Sequence, residues 1–84
     1  MAKPIYVNLS DVNELQTKIM QYISLWVHTE KTTVPLKEVI KEMSKQGTKD
    51  FTTIKALQSL IKKGYIRRDV TISNTTRFVQ LRSI

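Results

Sequence analysis

Leu57-Gln58-Ser59-Leu60-Ile61-Lys62-Lys63-Gly64-Tyr65-Ile66-Arg67-Arg68 is the stretch on which the fold turns. Leu57, Leu60 and Ile61 recur at helical spacing. Gly64 follows as a residue able to take positive φ where a helix stops. From Tyr65 the pattern alternates, with Ile66, Val70 and Ile72 on one strand face and Arg68 among them. Ser73-Asn74-Thr75-Thr76 contains a residue that tolerates the left-handed region, and Arg77 to Arg82 reads as the return strand. The stretch therefore predicts a helix, a tight stop and a β-hairpin in direct succession.

Upstream, Asp50 is placed to cap the helix that ends at Gly64. Ile54, Leu57, Leu60 and Ile61 form its inner face. Thr52, Lys55, Ser59 and Lys62 form the opposite face, with Ala56 and Lys63 at the margin. A second helix opens at Pro35, buries Leu36, Val39, Ile40 and Met43, and ends at Gly47. Thr32-Thr33-Val34 before it is β-branched enough for a very short strand. The first helix is capped by Ser10 or Asp11, with Asp11 and Glu14 at capping-box spacing, and runs to about His28. Val12, Leu15, Ile19, Met20, Ile23, Trp26 and Val27 fall in one arc, with Tyr22 on its edge and Leu25 outside it. That arc is wider than a surface helix of a small core needs. Residues 4–9 are β-prone and read as a strand or an ordered arm. The expected fold class is α+β, mainly α: one domain over 1–84 with three helices and a C-terminal hairpin.

Two helices joined by a tight Gly-containing turn, the second with a basic outer face, form a helix-turn-helix arrangement. With the hairpin after it, the order resembles the winged helix-turn-helix superfamily. The quoted stretch is similar to the junction of recognition helix and wing in MarR-type regulators and in the DNA-binding domain of the LexA repressor. The resemblance covers residues 12–82 in architecture and about 57–68 in motif. It implies a third helix in the DNA major groove, with Thr52, Lys55, Ala56 and Ser59 facing bases and Lys49, Lys62 and Lys63 flanking them. It also implies wing contacts from Arg67 or Arg68, Asn74, Thr75, Thr76 and Arg77. Neither a self-cleaving protease domain nor a long dimerisation helix follows the wing, and the third helix has no outward Arg. Autocleavage is therefore not carried over, and no small-molecule effector is evident.

The charge distribution points the same way. Across 84 residues the formal charge is +7. Residues 1–42 hold five Lys against five acids, whereas residues 43–84 hold nine Lys and Arg against Asp50 and Asp69, which accounts for all of it. A one-sided basic half is the footprint of a phosphate-backbone binder, or a solvated face kept for solubility. Arg67, Arg68 and Arg77 near one hairpin suit phosphates or a narrow minor groove, or blunt an exposed sheet edge. With no cysteine, disulfides and thiol chemistry are ruled out. The lone His28 sits where its cation would meet a helix C-terminus, with no second His to build a metal site. No catalytic constellation, cofactor or metal is expected, and no apolar run approaches the ~20 residues of a membrane span. The start of the chain shows no secretory pattern, so a cytoplasmic, nucleoid-associated location is expected.

The expected function is sequence-specific binding of double-stranded DNA, as a transcriptional regulator occupying an operator. The alternatives are a protein-interaction module on the same fold, or a plasmid or viral replication or partition protein. The expected assembly is a homodimer through Tyr22, Leu25 and Trp26 of the first helix, unless residues 4–9 fold back and cover that face.

Overall fold

The computed structural model describes residues 12–70 and 76–81. Its elements follow the order α1 (Glu14–Glu30), β1 (Val34–Pro35), α2 (Leu36–Lys45), α3 (Asp50–Lys62), β2 (Ile66–Val70) and β3 (Thr76–Gln80). The fold is α+β and mainly helical, with a C-terminal hairpin whose β3 also pairs with β1 in an antiparallel sheet of order β1-β3-β2. Register sets Val34 against Phe78, Arg68 against Phe78, and Asp69 against Arg77.

One hydrophobic cluster joins all three helices to the sheet. Ile19, Met20 and Ile23 of α1, Val39 and Met43 of α2, and Leu57 and Leu60 of α3 meet Val34, Tyr65, Ile66 and Phe78. The wide apolar arc of α1 is largely consumed within the one chain, since Val12, Leu15, Tyr22, Trp26 and Val27 also pack against this cluster. Leu25 is left out, at 62% exposure.

Several element boundaries differ from the sequence expectation. The cap of α1 is Asn13 rather than Ser10 or Asp11: the Asn13 side chain accepts from the Gln16 amide at 2.8 Å, and Gln16 Oε1 accepts from the Asn13 amide. Asp11/Glu14 and Asn13/Gln16 share the capping-box spacing. Only the second places a buried amide side chain where Lys63 Nζ also reaches it, at 3.2 Å. The helix runs on to Glu30 and stops at Lys31 in the left-handed region, φ 58°. Pro35 is the cap of α2 rather than its first residue, because it pairs with Arg77 at the sheet edge. Lys49 caps α3 by position, and Asp50 is instead an acid in the first turn, favourable to the helix dipole. Thr76 belongs to β3 rather than to the turn. Residues 4–9, Ser10 and Asp11, the turn residues Asn74 and Thr75, and Ile72 and Arg82 lie outside the described residues.

Both glycines do the work the sequence assigns them. Thr48 and Gly47 amides donate to Met43 and Ser44 carbonyls, and Tyr65 and Gly64 amides donate to Leu60 and Ile61 carbonyls. These are paired six-to-one and five-to-two bonds of Schellman caps, with Gly47 at φ 86° and Gly64 at φ 81°. The second cap reverses the chain so that Tyr65 and Ile66 enter the core directly beneath α3.

Candidate nucleic-acid interface

The face of α3 that points to solvent is not centred where helical periodicity alone puts it. With Leu57 as the middle of the inner face, Ala56 and Gln58 lie symmetrically on its two flanks at 100° per residue. α1 breaks the tie. Ala56 is only 7% exposed and belongs to the core, and Lys63 on the same flank turns back to hydrogen-bond Gln16 of α1. Both residues were expected to contact DNA, and the structure places them against α1. The Ala56 methyl is buried in the core, and Lys63 is half-buried in an interhelical bond. Thr53, not assigned to the inner face, is fully buried beside them.

The open flank presents Phe51, Thr52, Lys55, Gln58 and Lys62, with Lys49 at the start of the helix and Ser59 half-buried. Phe51 and Gln58 are additions that the periodicity did not single out. Phe51 is 69% exposed, and Lys55 Nζ stands 5.1 Å from its ring centroid. An exposed aromatic outside the apolar arc was the available signal, and the unbalanced chemistry of Ala56 against Gln58 was the other.

The hairpin arginines separate by strand pleat. Successive side chains alternate faces, so Arg68 shares the face of buried Ile66 while Arg67 takes the other. Arg68 lines a small groove with Leu36, Ile54, Gln58, Ile61 and Phe78, directly beside the open flank of α3. Arg77, opposite Asp69 in register, has its guanidinium engaged: Nε donates to Thr33 Oγ1 and an Nη to the Thr33 carbonyl, both at 2.8 Å. It pins the hairpin to the segment before α2, and the register sets Arg67 and Arg77 on one face of the hairpin with Arg68 on the other.

Among the described residues Lys49, Lys62, Arg67 and Arg68 have no carboxylate partner; the one ion pair recorded there joins Lys18 and Glu14 on α1 at 3.4 Å. These cations are thus available to an external anion, Arg67 from the other face of the hairpin. On the far side, Tyr22 and Trp26 of α1 are tilted against each other, centroids 6.3 Å apart. Burial, and then the carboxylates of Glu38 and Glu42 on α2, raise the Tyr22 phenol above its ordinary range. Tyr22 therefore lies near α2 of the same chain.

Three helices followed by an antiparallel hairpin are consistent with a winged-helix topology. No family model matches the chain, and no curated protein or solved structure matches it either. Among the described residues no helix is long and apolar enough to cross a membrane.

Proposed function

We propose that the chain is a small sequence-specific DNA-binding protein, a transcriptional regulator of the MarR- or LexA-like kind that holds an operator with α3 in the major groove. The β2–β3 hairpin lies on the adjacent backbone or minor groove. The observation that carries this reading is the open flank of α3, where Lys49, Lys55 and Lys62 stand exposed around Phe51, Thr52 and Gln58 and are joined across a groove by Arg68. Lys, Thr, Gln and Phe are side chains that reach acceptors, adenine edges or thymine methyls in the major groove. The action is occupancy of DNA without a catalytic step, blocking or recruiting another factor.

Selection of bound fragments from a genomic library, followed by affinity measurements with variants, tests the reading. Lys55→Ala should weaken binding to the selected site by about 1 to 3 kcal/mol, the worth of one base contact. Affinity for random duplex should change far less, and stability should stay within about 0.5 kcal/mol. If Lys55→Ala and Ser59→Ala both keep the selected preference, α3 is not the reading element. If no fragment is enriched, the fold serves protein interaction instead.

A further inference from the structure

Phe51 is the one large apolar side chain that α3 leaves in solvent. Among the described residues, only Leu25 and Leu81 are comparably exposed, and neither lies on this helix. A cation stands over it: Lys55 holds its ammonium 5.1 Å from the ring centroid, and the exposed Lys49 caps the helix two residues before it, next to the exposed Asp50. A protein-docking anchor is surrounded by apolar neighbours that exclude water, whereas the contact this ring makes is with the Lys55 ammonium. A polyanionic surface with an isolated apolar point suits it better. The thymine C5-methyl group in the DNA major groove is such a point, and Phe is among the side chains that meet it.

We infer that Phe51 reads a thymine methyl group, making it a specificity-determining residue of the α3 surface. The inference rests on the DNA-binding reading above. Phe51 lies in the first turn of α3, the end of a recognition helix that approaches base edges in helix-turn-helix docking. Lys55 restrains the ring from one side while keeping its own charge for a phosphate or a guanine edge. The contact confers preference at one base pair. It adds nothing for cytosine at that position, which presents an amino group and no methyl.

The test uses the full chain and a duplex selected by it from a random-sequence pool. Each thymine of that duplex is replaced in turn by deoxyuridine, which pairs identically and lacks only the methyl. One replacement should weaken the wild-type complex about fourfold, the ~0.8 kcal/mol of one buried methyl group converted at room temperature. Phe51→Ala should weaken the thymine duplex to a similar extent or more, and should be indifferent to that same replacement. Its thermal midpoint should match the wild type, because the side chain is already in water. Methyl dependence at no position, or methyl dependence that persists in Phe51→Ala, overturns the inference. Loss of affinity in Phe51→Ala without methyl dependence also overturns it, since a ring stacking on bases does not sense the methyl. Failure to select any duplex at low salt would sink the DNA-binding reading itself, whereas a selected duplex without methyl dependence sinks only the role of Phe51.

Discussion

Arg77 and Arg67 carry the same charge on one hairpin and do different work. The Arg77 guanidinium spans from β3 to Thr33 with two hydrogen bonds at 2.8 Å, while Arg67 is exposed. Hydrogen bonds to a charged donor contribute about 1.5 to 3 kcal/mol when buried and less where water competes. Arg77→Ala should therefore cost roughly 1 to 3 kcal/mol in urea unfolding, against about 0.5 kcal/mol or less for Arg67→Ala. Equal, small losses for the two would show that the Thr33 bonds contribute nothing. No sequence rule separates these arginines, because the partner of Arg77 lies 44 positions away and is met only when β3 pairs with β1. The same holds for Lys63, whose bond to Gln16 spans 47 positions. Local spacing reads the type and the face of a residue, and such long-range partners decide whether its charge is free.

At the scale of elements, the Schellman caps are where sequence and structure agree most closely. Gly47 and Gly64 interrupt apolar periodicity in the way a left-handed residue must, and both take positive φ. Helix type and order followed from periodicity for the same reason, since each helix buries a stripe set by its own residues. The ends of α1, α2 and α3 shifted by one to three positions because capping competes among neighbouring candidates, and tertiary partners choose between them. The flank of α3 that faces solvent was legible only to its symmetric limits, and α1 decided the rest. A Cβ on Gly64 would meet nothing within 4 Å, so the cost of Gly64→Ala is backbone strain alone, about 1 to 2 kcal/mol. In a chain of this size that lowers the thermal midpoint by roughly 4 to 8 °C per kcal/mol. Lys31, which ends α1 in the same region at φ 58° without being glycine, should respond oppositely. Lys31→Gly relieves that strain and should gain up to about 1 kcal/mol. A neutral Gly64→Ala together with a destabilising Lys31→Gly would contradict this account of the caps.

For the whole molecule, the proposed DNA binding turns on assembly and electrostatics. A two-fold dimer through α1 would place two α3 helices about one DNA turn, ~34 Å, apart on an inverted repeat. The single chain already covers most of α1, so such a dimer would rest on Leu25 with the edges of Tyr22 and Trp26. Sedimentation at micromolar concentration should give twice 9.8 kDa, and Leu25→Glu should return the monomer without unfolding it. A wild type that sediments at 9.8 kDa and protects a single unrepeated site rules the dimer out. The salt dependence of duplex binding decides whether the cations of α3 and the hairpin serve DNA phosphates as proposed. If Lys49, Lys55, Lys62, Arg67 and Arg68 neutralise about five phosphates, log affinity should fall against log salt with a slope of roughly −4.5. Replacing Arg67 and Arg68 together by Ala should flatten that slope by about one to two units. A slope near zero, or no binding even at low salt, would mean that these cations do not meet phosphates.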